Sequence, residues 1–192
     1  RLAHGRRSGA MSVKDSGCAW SLANTGRRMG GTMSNICTIG YERAAFSDLA
    51  ATLVGTGVTL VIDVRAQPHS RRREYAYKHL GPALADHGIR YQSWPALGTP
   101  AAGREAAKRG DMATFYARFA EQLATPEAGS ALESLLALAS SERPCLLCYE
   151  RDPAHCHRSL IVERLLREQP DLQVQDLFVD QGVPRSGRQR DG

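Results

Sequence analysis

The chain has 192 residues, of which 42% are apolar and 23% are charged. These are ordinary globular values that exclude collagen-like, coiled-coil and wholly disordered proteins. No stretch approaches the roughly 18 consecutive apolar residues of a membrane-spanning helix. The five cysteines are unevenly spaced and no signal-peptide pattern is present, so we expect a cytoplasmic protein without a disulfide framework.

The net charge of +5 belongs to the beginning of the chain. Residues 1–32 carry six basic residues against one acidic residue, whereas the rest carries 19 of each. This first stretch has no apolar period and is rich in Gly, Ser and Arg, which predicts a disordered tail upstream of a natural start at Met33; an Arg-rich transit peptide is the alternative. We expect one domain over residues 33–181 and a frayed end at 182–192.

Strand and helix signals alternate through the body of the chain. β-Branched or apolar runs predict strands at 36–39, 58–62, 89–94, 145–149 and 172–179. Between them, apolar residues at helical spacing predict helices that begin near residues 46, 112, 126 and 157, and one with Leu80 and Leu84 inward that ends at Gly88. Residues 97–110 are expected to be a long mobile loop. The pattern predicts a single α/β domain with a mostly parallel sheet of about five strands and helices on both faces.

Polar residues collect where three of these strands end. Tyr41-Glu42, Asp63-Val64-Arg65 and Cys148-Tyr149-Glu150 all follow apolar runs, and ligands of parallel sheets bind beyond the carboxyl ends of the strands. If the first and fourth strands are neighbours, the two glutamates approach each other and can act as an acid and a base. The alternative is that each glutamate forms a salt bridge with Arg65 or Arg158.

Cys156-His157-Arg158 stands where a loop meets the last long helix. The N-terminus of a helix attracts anions, and an arginine beside it adds a bidentate donor. The same field makes Cys156 a candidate nucleophile. Alternatively, Cys156 is a small residue at a helix start and Arg158 forms a structural ion pair.

A basic run, His69 to Arg73, follows the second strand. It predicts either a solvated face or a rim that binds phosphate groups, with Arg71 and Arg73 as binding residues. Together with Tyr75, Tyr77 and Trp94 as stacking surfaces, it would also suit a module that binds nucleic acid.

Four side chains of the zinc-ligand type lie between positions 148 and 157: Cys148, His155, Cys156 and His157. Tetrahedral sites usually combine ligand pairs from separate segments, whereas these four crowd into one. We therefore predict no cofactor, with zinc as the alternative.

The motifs Thr38-Ile39-Gly40-Tyr41-Glu42, Asp63-Val64-Arg65, Leu97-Gly98 and Cys148-x-Glu150 followed by Cys156-His157-Arg158 resemble the bacterial and archaeal proteins grouped as domain of unknown function 488. The resemblance runs from about Ile36 to about Val179. It implies a small α/β domain with polar residues at the strand ends, and it implies no reaction. A more distant similarity to rhodanese-like domains implies sulfur transfer as an alternative, although Arg158 follows Cys148 at a greater spacing than the tight loop of those domains has.

These observations favour an enzyme that acts on an anionic, phosphate-bearing or nucleotide-like substrate, with nucleic acid as the alternative partner and no membrane association. The expected catalytic residues are Cys156, Glu150, Glu42 and His157. The expected substrate-binding residues are Arg65, Arg158, Tyr41, Asp63, Cys148, Arg71 and Arg73.

Overall fold

The computed structural model describes residues 35–180. The expected disordered tail, the expected start at Met33 and the expected frayed end at 182–192 lie outside the described residues. Within the described range, no helix is long and apolar enough to cross a membrane.

Five parallel strands form one sheet, which confirms the predicted α/β fold. The strands are β1 (Asn35–Gly40), β2 (Leu60–Asp63), β3 (Arg90–Ser93), β4 (Pro144–Cys148) and β5 (Gln173–Leu177). Their spatial order is β3-β2-β4-β1-β5, and every neighbouring pair is parallel. The strand ends differ from the predicted ones by one or two residues. The three central strands are buried at almost every position, as expected for a sheet covered on both faces.

Within residues 35–180, six α-helices accompany the sheet: α1 (Phe46–Gly55), α2 (Tyr77–Ala85), α3 (Ala101–Lys108), α4 (Met112–Leu123), α5 (Pro126–Ser141) and α6 (His157–Glu168). Buried leucines of α1 and α2 pack with alternate strand residues such as Ile39 and Val61 on one face. On the other face, α4, α5 and α6 pack against Leu60, Ile62 and Leu146. The alternation of side chains along each strand thus supplies two cores, one on each side of the sheet.

The prediction of a long mobile loop at 97–110 was wrong. A short 3-10 turn spans Pro95–Leu97, and α3 covers most of the remainder. Its sequence is rich in alanine, a strong helix former, and its buried residues are Gly103 and Ala106. A Cβ atom at Gly103 would lie 2.9 Å from Thr99 Cγ2. Because small residues rather than large apolar ones form the buried face, the sequence shows no apolar stripe there.

Candidate active site

The connections that follow β2 and β4 run toward opposite edges of the sheet, so a topological switch point lies between these two strands. These two strands are neighbours, but β2 connects outward to β3 whereas β4 connects over β1 to β5 on the opposite edge. Such a switch point opens a crevice at the carboxyl ends of the two strands. In the register of this pair, Asp63 lies opposite Leu147, and the next residue, Val64, donates its backbone N–H to the Leu147 carbonyl over 3.1 Å. Val64 and Cys148 therefore stand at the mouth of the crevice.

Four side chains meet beside this crevice: Cys148, Glu150, Cys156 and His157, which we call the sulfur cluster. The Nδ1 atom of His157 lies 3.7 Å from the sulfur of Cys148 and 3.8 Å from the sulfur of Cys156. Oε2 of Glu150 lies 3.1 Å and 3.5 Å from the same two sulfurs. Strand β4 supplies Cys148, the following loop supplies Glu150, and the start of α6 supplies Cys156 and His157. Two thiols, an imidazole and a carboxyl group thus share one buried corner.

The orientation of the His157 ring is fixed by the sheet. Its Nε2 atom lies 2.9 Å from the carbonyl oxygen of Val64, which can only accept a hydrogen bond, so Nε2 carries the proton and donates it. The ring also packs edge to face on Phe119, with centroids 5.2 Å apart. Because Nε2 is occupied, Nδ1 is the atom that His157 presents to the two sulfurs.

Arg158 is buried beside the cluster, and each of its nitrogens has a protein acceptor. Nε donates to the Cys156 sulfur over 3.2 Å, one terminal nitrogen donates to the Glu150 carbonyl over 2.6 Å, and the other donates to Thr38 Oγ1 over 3.3 Å. Arg158 therefore ties the start of α6 to β1 and to the loop after β4. The structure gives it the role of holding Cys156 and Glu150 in position.

The pKa values of the four groups in the sulfur cluster are shifted in different directions. Burial alone would raise the pKa of the Cys156 thiol, but hydrogen bonds from Cys148 and His157, with the charges of His157 and Arg158, hold that pKa well below its ordinary value. The hydrogen bond with Cys156 and burial raise the pKa of Cys148 well above the ordinary value. Burial tends to lower the pKa of His157, yet its hydrogen bond with Cys156 and the thiolate charge raise it. Burial and the same thiolate charge raise the pKa of Glu150. These directions favour the thiolate form of Cys156 and the charged form of His157.

A second buried network holds the end of β2. Nε and NH2 of Arg65 donate to the two carboxylate oxygens of Asp63 at 2.8 and 2.5 Å, and NH1 donates to the Tyr41 hydroxyl at 2.6 Å. NH2 also reaches the backbone carbonyl of Tyr75. Tyr91 donates its hydroxyl to Asp63 over 2.7 Å. The predicted binding residues Tyr41, Asp63 and Arg65 are thus brought together, chiefly with one another.

A pocket of about 810 Å³ opens onto both networks. Five basic side chains line it, which we call the basic wall: Arg65, Arg71, Arg72, Arg104 and Lys108. Glu150 is the single acidic side chain on the lining among the residues that the structure describes, and all four members of the sulfur cluster reach the same pocket. Cationic walls concentrate anions and attract them from solution.

The sequence indicated only part of this wall. Arg72 lines the pocket instead of the predicted Arg73, whose Nε lies 3.3 Å from Nε2 of His79. Arg104 and Lys108 were missed because α3 was not recognised; their spacing of four would place them on one helical face. The hydrogen bond between His157 and the backbone carbonyl of Val64 could not be predicted from the sequence, because every residue has such a carbonyl.

Glu42 and Glu150 follow neighbouring strands, which was the condition for their approach, since Gly40 pairs with Cys148 in the register of β1 and β4. Their carboxylates have different surroundings. Glu42 accepts a hydrogen bond from the backbone N–H of Arg151 at 3.4 Å and forms an ion pair with the exposed Arg43 at 3.9 Å, whereas Glu150 contacts the two sulfurs. The alternative expectation, in which these glutamates bridge to Arg65 or Arg158, was wrong for Arg65, which pairs with Asp63.

The stacking role expected of Tyr75 was also wrong. Tyr75 is fully buried, stacks on Tyr41 at a centroid distance of 4.1 Å and donates its hydroxyl to the Ala44 carbonyl. Its ring is therefore closed to a nucleic-acid base. Tyr77 remains exposed, and Trp94 is partly buried with its Nε1 bonded to Gln92.

Of the four zinc-type residues noted in the sequence, the structure groups three. Cys148, Cys156 and His157 present ligand atoms that all lie within 4.8 Å of one another, and all three are buried. His155 instead points to solvent and pairs with Asp152 at 2.9 Å. Cys148 lies at a strand end and Cys156 with His157 at a helix start, as the sequence indicated, but the spacing along the chain did not predict that their ligand atoms would meet.

Comparison with known proteins identifies a family for most of the described chain. Residues 46–165 match the family described as domain of unknown function DUF488. The matched range contains the ends of β2 and β4 and the whole sulfur cluster, whereas Tyr41 and Glu42 precede it. No curated protein and no solved structure matches the chain. Because the matched range covers more than half of the sequence, the protein belongs to the DUF488 family.

Proposed function

We propose that this protein is an enzyme that acts on an anionic, phosphate-bearing or nucleotide-like substrate, with the sulfur cluster as its reaction centre. The observation that carries the proposal is the shared pocket: the basic wall and the sulfur cluster line the same cavity of about 810 Å³. A substrate drawn in by its negative charge would be held directly beside two sulfurs, an imidazole and a carboxyl group.

Two basic side chains of the basic wall, Arg71 and Lys108, are available to bind a ligand. Arg65 is committed to Asp63 and Tyr41, and Arg104 donates to the Thr99 carbonyl. Arg71, in contrast, is exposed and has no hydrogen bond or ion pair with any residue in the described range, and Lys108 pairs only with the exposed Glu105. Exposed ion pairs of this kind contribute little, so the two side chains can turn toward an anion at small cost.

Within the cluster, the proposal assigns two chemical roles. Cys156 offers a sulfur electron pair to an electrophilic atom of the substrate, and the leaving group departs with the electrons of the broken bond and takes a proton from Glu150. The Arg158 guanidinium and the His157 ring hold the sulfur in place. Glu150, with an oxygen within 3.5 Å of both sulfurs, carries protons between the cluster and the substrate. Glu42 is left out of the proposal because, unlike Glu150, it does not line the pocket.

The test compares two alkylating reagents of similar size, anionic iodoacetate and neutral iodoacetamide, on the metal-free full-length chain. Mass spectrometry follows modification of Cys156, and the ratio of the two rates is compared with that of a free model thiol. We expect Cys156 to prefer the anionic reagent, and we expect phosphate or pyrophosphate to protect it. The preference should decline with added salt.

A double variant, Arg71→Gln with Lys108→Gln, should lower the reagent ratio several-fold. The matched control is Arg167→Gln, which removes a cation from the exposed end of α6 that pairs, within residues 35–180, only with Glu163. A ratio equal to that of the model thiol, or the same loss in the control, would overturn the proposal.

A further inference from the structure

We infer that Cys148, Cys156 and His157 form a binding site for a thiophilic divalent cation of the zinc class, with its open coordination position on the pocket side. The inference deepens the proposed function and rests on it in one respect: with the ion bound, the Cys156 sulfur is a ligand rather than the free nucleophile, and the anion in the pocket would meet the ion instead. The binding of the ion itself depends only on the three ligands.

The distances between the ligand atoms suit such an ion. With metal–sulfur bonds of about 2.3 Å and metal–nitrogen bonds of about 2.0 Å, ligand atoms of a tetrahedral site lie roughly 3.5–3.8 Å apart. Nδ1 of His157 lies 3.7 Å from one sulfur and 3.8 Å from the other. All three atoms lie within 4.8 Å of one another. Small side-chain adjustments therefore complete the site.

The surroundings of the ligands support the same conclusion. A histidine that binds a metal through one ring nitrogen usually donates the other N–H to a carbonyl or carboxylate, which fixes the ring. His157 does so through Nε2 to the Val64 carbonyl. Arg158 Nε donates to the Cys156 sulfur, which orients the second ligand. Two of the three ligands are thus held by the fold before any ion arrives.

The charges balance on binding. A divalent cation joined to the Cys148 and Cys156 thiolates and to neutral His157 forms a neutral unit, and every proton that the thiols or the Nδ1 atom of His157 carry beforehand leaves to solvent. No oxidation or reduction takes part. Of the nearby charges, Arg158 is buried at 1% exposure and Glu150 is partly buried, so the carboxylate and the guanidinium offset each other around the neutral unit.

Three protein ligands leave a fourth position. Metal sites with two cysteines, one histidine and an open position are typical of catalytic zinc. The members of the cluster line the pocket, so the open position faces the basic wall, and Glu150 is the neighbouring carboxyl group. An anion held by Arg71 or Lys108 could then reach the metal ion. The ion would act as a Lewis acid and polarise the bound anion.

The experiment measures metal binding by the full-length chain. Protein produced in zinc-supplemented medium and passed through a desalting column should contain about one zinc per chain by elemental analysis. After removal of the ion with a chelator, addition of Co²⁺ should give the visible bands of a tetrahedral site together with a thiolate-to-cobalt charge-transfer band. Zinc should displace the cobalt. No bound metal, or a cobalt spectrum without the thiolate band, would overturn the inference.

Variants locate the ion. Cys148→Ser, Cys156→Ser and His157→Gln each remove a ligand and should weaken zinc binding by more than about 100-fold. His155→Gln is the matched control, since it removes a zinc-type side chain that is close in sequence but exposed and paired with Asp152. Equal loss in the control would overturn the assignment. If a ligand variant fails to fold, the cobalt spectrum of the unmodified chain still reports whether thiolates bind the ion.

The two proposals fail separately. The reagent-preference test uses metal-free protein, and the metal test uses no anion. Metal binding without a preference for iodoacetate would contradict only the anionic substrate, whereas a preference for iodoacetate without metal binding would contradict only the metal site.

Discussion

His157 at the start of α6 donates from Nε2 to the carbonyl oxygen of Val64, 93 positions earlier in the chain, over 2.9 Å. This bond joins the helix to the end of β2 and directs Nδ1 at the two sulfurs. A buried carbonyl that loses its donor, together with the space left by the ring against Phe119, destabilises the fold.

We therefore expect His157→Ala to lower the free energy of unfolding of the metal-free protein by about 2–4 kcal/mol. His155→Ala, which removes the same side chain from an exposed position two residues away, should change it by less than about 0.5 kcal/mol. Urea unfolding followed by circular dichroism measures both. Similar values for the two variants would show that the bond to Val64 does not anchor the helix.

The second prediction concerns Gly40, the last residue of β1. A Cβ atom built there would lie 1.8 Å from the backbone oxygen of Glu150 and 2.8 Å from the Cα atom of Arg151. Because backbone atoms rather than a flexible side chain fill the space, Gly40→Ala must displace the loop that carries Glu150. We expect a loss of about 2 kcal/mol or more, together with slower alkylation of Cys156.

Gly129 in α5 provides the matched control for Gly40. Nothing lies within 4 Å of a Cβ atom at that position. Alanine also has the higher helix propensity, so Gly129→Ala should raise the free energy of unfolding by up to about 1 kcal/mol. Chemical denaturation of the two variants should give changes of opposite sign, and changes of the same sign would contradict the close approach of Gly40 to the loop.

The third prediction concerns the buried ion pair of Asp63 and Arg65. Asp63→Asn removes the charge that compensates the guanidinium and should cost about 3–5 kcal/mol. Tyr41→Phe removes the hydroxyl that accepts a hydrogen bond from the Arg65 guanidinium but leaves the ion pair intact, and should cost less, about 1.5–3 kcal/mol. Denaturant unfolding midpoints of both variants show whether Asp63→Asn loses more stability than Tyr41→Phe, as expected.

The double variant Asp63→Asn with Arg65→Met tests the cause of that loss. Replacing both charges avoids an uncompensated buried charge, so the double variant should be more stable than Asp63→Asn alone. If it is less stable, the loss arises from packing rather than from the unpaired guanidinium.

The location of the candidate site follows from the sequence, because the strand ends of a parallel sheet meet at one edge. Asp63, Arg65, Cys148 and Glu150 each follow a recognisable apolar run, so their convergence could be predicted without the order of the strands. The contacts within the site could not. Whether Arg158 binds a substrate or the Cys156 sulfur depends on the path of the loop between Glu150 and Cys156, which local sequence does not determine.

Burial of polar and small residues accounts for the remaining errors. Tyr75 follows a run of arginines and has the pattern of an exposed residue, yet it lies in a 3-10 turn, Arg73–Tyr75, that directs its ring into the core beside Tyr41. Helix α3 could not be recognised from the sequence because its buried face consists of small residues, Gly103 and Ala106, rather than large apolar ones. In both cases tertiary packing decides the outcome, and short-range patterns do not report it.

The last prediction concerns the stability of the protein at alkaline pH. Burial raises the pKa of Tyr75 from its ordinary value near 10 to about 12. The folded protein therefore retains this proton at pH values where the unfolded chain has lost it. The stability that Tyr75 contributes is complete below about pH 10 and is lost as the pH rises toward 12, with a total of about 2–3 kcal/mol.

Tyr75→Phe should remove part of this alkaline loss, although deletion of the hydroxyl that bonds to Ala44 lowers stability at neutral pH by about 1 kcal/mol. Part of the loss remains, because burial also raises the pKa of Tyr41 and Tyr91. Tyr77→Phe is the control at an exposed tyrosine, 43% accessible. Denaturant unfolding between pH 8 and 12 measures how steeply the free energy of unfolding falls with pH in each variant. If Tyr75→Phe leaves the slope of the unmodified chain unchanged while Tyr77→Phe flattens it, the buried ring is not the group that titrates on unfolding.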